Sequence, residues 1–207
     1  MPEILKQLAE VRDTQPEQFF DACVEALRKG ATLGEITRVV RAHDAGPVTA
    51  KPVVCTRAAL AFESLRASMD SFAEEAGYRQ KVFLCNMGPL KQHKARADFS
   101  QGFFATAGYE VISPKGFNTP EDAAAAFAAS GARVAVLCST DDTYPTLVPA
   151  VIAAVRAQKP DALVILAGYP TEHVEAFKAA GIYDFIHIRA NVAELLAKLH
   201  QTLGVSA

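Results

Sequence analysis

Residues 82–99 read VFLCNMGPLKQHKARADF, and the change of pattern inside this stretch sets the architecture of the chain. A short apolar run ends at Asn86-Met87-Gly88-Pro89, and a charged segment of helical character follows at once. This order is typical of a strand that turns into the first helix of an α/β domain. Because ligands of such domains bind beyond the carboxyl ends of the strands, His93 is a candidate site residue.

Four more apolar runs of strand length follow, each with a helical pattern behind it. Strands are predicted at 81–86, 109–113, 133–139, 161–168 and 183–188. Helices are predicted at 92–108, 119–129, 144–159, 171–181 and 191–203. Five consecutive βα units predict a parallel sheet with helices on both faces, and five strands favour the flavodoxin-like (Rossmann-like) order.

Residues 1–80 have a helical pattern instead, so we expect two parts: a helical arm with a linker at 1–80 and an α/β domain at 81–207. Thr32 and Glu35 have the spacing of a capping box for a helix that ends near Arg41. A Pro- and Gly-containing strap covers 43–54, and another helix is expected at 57–75. One buried stripe is predicted from the apolar spacing of Phe19, Phe20, Cys23, Val24 and Leu27.

The composition excludes several classes of function. The formal net charge is −2 and no basic stripe stands out, so nucleic acid is not an expected partner. The apolar runs are far shorter than the roughly 20 residues of a membrane span, and the first residues lack the pattern of a signal peptide. The four cysteines are widely spaced without a CxxC pair, which predicts free thiols and a cytoplasmic location.

The loops after the strands lack the common ligand motifs. Only Gly88 stands where a dinucleotide fingerprint needs three glycines, and a Walker A loop is missing. Asn86 replaces the acidic residue that a phospho-accepting receiver domain needs, and Ser139 has no GxSxG elbow around it. Apart from His93, the histidines are expected at the surface or at helix ends, although His187 follows strand 5 and could face the same crevice.

Two segments carry a resemblance to a known family. Residues 86–112, NMGPLKQHKARADFSQGFFATAGYEVI, and 146–182, TLVPAVIAAVRAQKPDALVILAGYPTEHVEAFKAAGI, resemble the C-terminal cobalamin-binding domain of methylmalonyl-CoA mutases. Residues 22–41, ACVEALRKGATLGEITRVVR, resemble the segment that joins the mutase barrel to this domain. The resemblance implies a part in a radical rearrangement of methylmalonyl-CoA to succinyl-CoA, with adenosylcobalamin as the source of the radical. The catalytic barrel would need about 250 further residues.

The cobalamin signature of that family is altered here at each element. The family has D-x-H-x-x-G after strand 1, S-x-L after strand 3 and Gly-Gly after strand 4. A gapless alignment places Leu90, Gln92, Ala95, Cys138-Ser139-Thr140 and Ala167-Gly168 at these positions. His93 follows the expected histidine position by one residue, which is about 100° of rotation on a helix. If the chain did bind cobalamin, His93 would be the cobalt ligand, and Gly88, Ser139 and Gly168 would contact the cofactor.

The loop is more similar to the small, non-catalytic subunits of heterodimeric bacterial mutases. Their pattern N-x-G-P-x-x-x-H-x-A-R-x-x-F is matched by Asn86, Gly88, Pro89, His93, Ala95, Arg96 and Phe99. This resemblance implies a domain that keeps the fold, has lost the cofactor, is inactive alone and supports a catalytic mutase subunit or associates with itself. Two alternatives stay open: a working cobalamin carrier with His93 on cobalt, and an unrelated flavodoxin-like regulatory module.

Overall fold

The structure is a computed structural model, and it describes residues 2–44, 46–47 and 49–205. These residues fall into two compact units that divide between Val54 and Cys55. The first unit contains three helices: α1 (Pro2–Thr14), α2 (Phe19–Arg28) and α3 (Leu33–Val40). Short 3₁₀ helices lie at Pro16–Gln18 and Arg41–His43.

The second unit alternates strands and helices as the sequence predicts. Its helices are α4 (Leu60–Ala76), α5 (Leu90–Ala105), α6 (Pro120–Ala129), α7 (Tyr144–Gln158), α8 (Val174–Ala180) and α9 (Val192–Leu203). Its strands are β1 (Lys81–Asn86), β2 (Glu110–Ile112), β3 (Val134–Cys138), β4 (Leu163–Ala167) and β5 (Ile182–Ile186). The five strands form one parallel sheet in the order β2-β1-β3-β4-β5, which confirms the predicted α/β flavodoxin-like class.

Both faces of this sheet are covered by helices. Side chains alternate along each strand, so Phe83 and Cys85 face a core with α6, α7 and α8. Val82 and Leu84 face the opposite core, which contains α5 and α9. Double burial explains why the strands are almost continuously apolar.

Helix α4 is part of this second unit, although the sequence pattern placed it in the segment 1–80. Its Met69 is fully buried in the same core as Val82 and Leu196. The change from helical to alternating periodicity at residue 81 marks the start of the sheet. The packing changes earlier along the chain, because α4 packs against α9 and its Met69 reaches the core on that side of the sheet.

The first unit has its own small core. Leu8, Ala26 and Ile36, one from each helix, are buried together. The single apolar stripe predicted for α2 is wrong in part, since Phe20 is 77% exposed and Leu27 is also exposed. Helix α2 has two apolar stripes, and only the one that includes Ala26 faces α1 and α3.

The capping box predicted at the start of α3 is confirmed. The Thr32 hydroxyl accepts a hydrogen bond from the Glu35 amide at 3.3 Å, and the Glu35 carboxylate accepts one from the Thr32 amide at 2.8 Å. The bonds that the Thr32 amide and hydroxyl donate to the Glu35 carboxylate lower the pKa of Glu35, because they favour its charged form. In the part of the chain that the structure describes, no helix is long and apolar enough to cross a membrane.

Candidate functional site

The predicted site residues all lie at the carboxyl edge of the sheet. Gly88 and His93 follow β1, Ser139 follows β3, and Gly168 follows β4. The strands are parallel, so these loops meet at one edge, as the sequence predicts. The structure divides the four residues into two groups with different surroundings.

His93 and Gly88 form the first group. The imidazole lies in the first turn of α5 with 4% of its surface exposed, and its Nδ1 is 3.0 Å from the carbonyl oxygen of Gly88. A carbonyl oxygen only accepts, so Nδ1 carries a proton and donates it to Gly88, which leaves Nε2 as the uncommitted nitrogen. Gly88 has φ of +77°, a left-handed conformation that favours glycine.

The loop after β2 encloses this histidine from the other side. The Phe117 amide donates to the Asn86 carbonyl at 2.7 Å, and the Gly88 amide donates to the Phe117 carbonyl at 2.8 Å. The loop therefore extends the sheet by a parallel bridge. A Cβ on Gly116 would lie 2.6 Å from His93 Cε1 and 2.5 Å from the Gly88 carbonyl oxygen, so only glycine fits there.

These elements surround a cavity of about 500 Å³ at the ends of β1 and β2. Asn86 lies at its base with 2% of its surface exposed. The cavity is lined by Asn86, Gly88, Pro89, Leu90, His93, Lys94, Ala97, Asp98, Ser113, Pro114, Lys115, Gly116 and Asn118. The site has two walls, one from α5 and one from the loop after β2.

Ser139 and Gly168 form the second group, and Tyr144 of α7 lies between them. The fully buried Tyr144 hydroxyl is 2.6 Å from the Ala167 carbonyl oxygen and 2.9 Å from the Ser139 carbonyl oxygen. It also accepts a hydrogen bond from the Ser139 amide at 3.1 Å. Burial raises the pKa of this phenol, so it remains a neutral donor. Its ring and hydroxyl occupy the space between the ends of β3 and β4.

An ion pair closes the outer side of the same region. Arg96 of α5 donates to the Asp141 carboxylate at 2.9 Å, across the loop after β3. A Cβ on Gly168 would lie 3.1 Å from this arginine, 3.1 Å from Asp141 and 3.2 Å from Tyr144. The side chains of Arg96, Asp141 and Tyr144 therefore pack around Gly168.

This edge of the sheet has little capacity for nucleophilic or metal chemistry. Burial raises the pKa of the Cys138 thiol to about 12, so the thiolate is not formed near neutral pH. Ser139 is buried, and its hydroxyl oxygen accepts from Thr143 at 2.9 Å. Among the described residues, no three His, Cys, Asp or Glu side chains are grouped so that they could hold a metal ion.

The other histidines differ partly from expectation. The His187 ring packs against the Tyr169 ring, with the ring centroids 4.8 Å apart. His187 lines another cavity, so it does not share the cavity of His93. His200 lies in the last turn of α9 as a helix-end histidine, but it is buried with 3% exposure. This burial has no local signature in the sequence, because a polar residue on the apolar face of a terminal helix resembles a surface residue.

The sequence pattern does not identify two important site residues. It predicts only a helix at Tyr144 and only a loop at Gly116. The glycine within the motif SPKGFNT, 113–119, was a weak signal of close packing. Nothing local in the sequence indicates that Tyr144 reaches the end of β4, which is 23 residues away along the chain.

The sheet order and the loops at its carboxyl edge define a five-stranded, flavodoxin-like α/β domain. No family profile matches the chain. The chain is 33% identical over 172 residues to a methylmalonyl-CoA mutase small subunit of Porphyromonas gingivalis, covering 83% of this chain and 26% of that protein. It is 42% identical over 97 residues to the small subunit of Streptomyces virginiae, covering 47% and 16%.

A structural comparison adds one protein of similar extent. A cobalamin-binding protein from Desulfitobacterium hafniense superimposes with a TM-score of 0.48 and 16% identity, over 95% of this chain and 97% of that one. The chain spans about a quarter or less of the length of the curated relatives it matches. The resemblance to methylmalonyl-CoA mutase small subunits is thus confirmed at the level of sequence.

Proposed function

We propose that this chain is a degenerate cobalamin-binding-type domain of a methylmalonyl-CoA mutase small subunit. In this proposal it binds no cobalamin, is inactive alone, and supports a cytoplasmic catalytic subunit that interconverts methylmalonyl-CoA and succinyl-CoA. The observation that carries the proposal is the position of Tyr144, which fills the space between β3 and β4 with a hydrogen-bonded phenol. The similarity to mutase small subunits favours this function over an unrelated regulatory module.

The residues present do not fit cobalamin. The family resemblance places the nucleotide tail beside the residues after β3 and β4, and here Tyr144, Arg96 and Asp141 surround Gly168. Admission of the tail would require removal of three hydrogen bonds of a buried hydroxyl. It would also require separation of the Arg96–Asp141 ion pair, so the closed arrangement is the stable one.

One observation favours the second candidate, a cobalamin carrier. The Nδ1 of His93 is engaged by the Gly88 carbonyl, so Nε2 has the free lone pair that a metal ligand needs. Against this, 96% of the His93 surface is covered, and Gly116 packs against the ring. The free nitrogen alone does not provide room for a macrocycle.

A visible-absorption titration of the purified chain with adenosylcobalamin and hydroxocobalamin separates these functions. We expect no spectral change at high micromolar cofactor. A shift that is lost in His93→Ala, but kept in the control His173→Ala, which is partly exposed and does not line the His93 cavity, would establish the carrier function. A shift that is kept in both variants would also contradict the proposal, because cobalamin would then bind without a histidine on cobalt.

The partner is tested separately by sedimentation of the chain with and without the catalytic mutase subunit of its source organism. The strap 43–54 is our candidate contact, since Val53 and Val54 are exposed; its Ala45 and Val48 lie outside the described residues. We expect a one-to-one complex that Val53→Asp/Val54→Asp weakens and Lys29→Ala leaves unchanged. Sedimentation as a homodimer in both runs would favour self-association instead.

A further inference from the structure

The cavity at the ends of β1 and β2 has unused hydrogen-bonding capacity. We propose that it binds a small organic anion that also carries a hydroxyl group, such as a phosphate monoester or a hydroxycarboxylate. This proposal does not depend on the proposed function. The cavity lies between α5 and the loop after β2, whereas the poor fit to cobalamin is inferred mainly from side chains at the ends of β3 and β4.

The first observation is a buried acceptor without a donor. The Asn86 side-chain nitrogen donates to the Pro114 carbonyl oxygen at 2.8 Å and lies 3.4 Å from the Ser113 hydroxyl. Since the Pro114 carbonyl only accepts, the orientation of the amide is determined. The Asn86 oxygen is then buried with no hydrogen-bond partner in the described residues. Such acceptors are uncommon in folded proteins. The oxygen itself has less than 1 Å² of exposed surface, so a ligand hydroxyl would satisfy it after a small rotation of the side chain toward the cavity.

The second observation is a second polar atom without a partner in the same lining. His93 uses Nδ1 for the Gly88 carbonyl, and its Nε2 makes no hydrogen bond within the part of the chain that the structure describes. Asn86 and His93 both line the cavity. The inner end of the cavity therefore favours a ligand with hydroxyl hydrogens over one that has only acceptors.

The third observation concerns the charges around the cavity. Three charged side chains line it: Lys94, Asp98 and Lys115. Lys94 and Asp98 neutralise one another at 2.7 Å, whereas Lys115 forms no ion pair with any residue the structure describes. The lining has a net charge of +1, which suits an anionic group at the exposed side of the cavity.

The fourth observation is that the walls are already in place. Asn86, Phe117 and Gly88 are joined by backbone hydrogen bonds of 2.7 and 2.8 Å, so the loop after β2 is held to the sheet. The close contact of Gly116 with His93 holds the two walls together. A ligand would bind without ordering a loop, and preformed pockets of this size are typical of small-molecule sites.

The test is an NMR titration of the ¹⁵N-labelled full chain with glycerol 3-phosphate and with glycerate. At least one of these ligands should cause saturable shifts of the backbone amide signals of Gly88 and Gly116 and of the side-chain amide signal of Asn86. The ligand that binds more tightly shows whether the site prefers a phosphate or a carboxylate. Propyl phosphate lacks the hydroxyls and glycerol lacks the charge, so we expect the affinity for each to be lower by about tenfold or more.

Two lysine variants provide the matched comparison. Lys115→Ala should weaken binding about fivefold or more, whereas Lys91→Ala should not change it. Lys91 lies in the first turn of α5, next to residues that line the cavity, but it does not line the cavity itself. No saturable shift below about 10 mM with either anion would overturn the proposal, as would equal effects of the two variants. The Asn86 oxygen would then be satisfied by water.

Discussion

The hydroxyl oxygen of Tyr144 lies 2.6 Å from the carbonyl oxygen of Ala167, which joins the first turn of α7 to the end of β4. The same hydroxyl contacts the Ser139 carbonyl at 2.9 Å, so one side chain connects the ends of two neighbouring strands. In a parallel sheet this is where ligands are usually admitted. Here the position is occupied by the protein itself.

Tyr144→Phe should lower the free energy of unfolding by about 1–3 kcal/mol, because the buried carbonyls lose their donor without access to water. Urea denaturation measures the change. Tyr169→Phe is the control, since Tyr169 is partly exposed and its hydroxyl can be replaced by water. An equal effect of the two substitutions would show that the Tyr144 hydroxyl bonds add nothing to stability.

Gly116→Ala should destabilise the chain by about 1–3 kcal/mol, because the new methyl group meets the Gly88 carbonyl and the His93 ring. Urea denaturation and the His93 ring signals in NMR both report on this contact. For the control substitution we expect a change in the free energy of unfolding of the opposite sign. Gly102→Ala lies inside α5 with open space around it and should stabilise by up to about 1 kcal/mol. Tolerance of Gly116→Ala would mean that the two walls can separate.

His200 should make stability depend on pH. Burial lowers its pKa below the ordinary value of 6.5, so the unfolded chain binds a proton more readily than the folded one. The stability contributed above pH 6.5 is therefore lost as the pH falls below 6.5, by at most about 1.4 kcal/mol per pH unit for one proton.

The measurement is urea denaturation at pH 7.5 and pH 5.5. Wild type should lose more stability on acidification than His200→Phe, whose ring can pack beside Tyr109 in the same way. His173→Phe, at a partly exposed position, should behave as wild type. If wild type and His200→Phe lose the same amount, His200 is accessible to protons in the folded state.

Thr32→Ala should destabilise α3 by about 1 kcal/mol, because the Glu35 amide loses its capping acceptor. Amide hydrogen exchange over residues 33–40 measures the effect locally. Thr37→Ala is the matched control, since the Thr37 hydroxyl bonds the Leu33 carbonyl inside the helix and alanine is the better helix former. Equal amide exchange rates in the two variants would show that the capping box does not limit the opening of α3.

The order of strands and helices in the second unit was predictable, because period and turn residues are local properties. The capping box at Thr32 was predictable for the same reason. The exposure of Phe20 and the burial of His200 were not, since both depend on which face of a helix finds a partner. The placement of α4 against α9 likewise follows from packing and leaves no local mark in the pattern.

Local sequence patterns are enough to specify the alternation of strands and helices, the parallel sheet and the loops that meet at its carboxyl edge. Only the tertiary structure decided what fills that edge: Tyr144 meets Ala167 across 23 residues, and Asn86 meets Pro114 across 28. Such contacts depend on the spatial order of the strands and on side-chain volume, and neither is encoded in a local pattern.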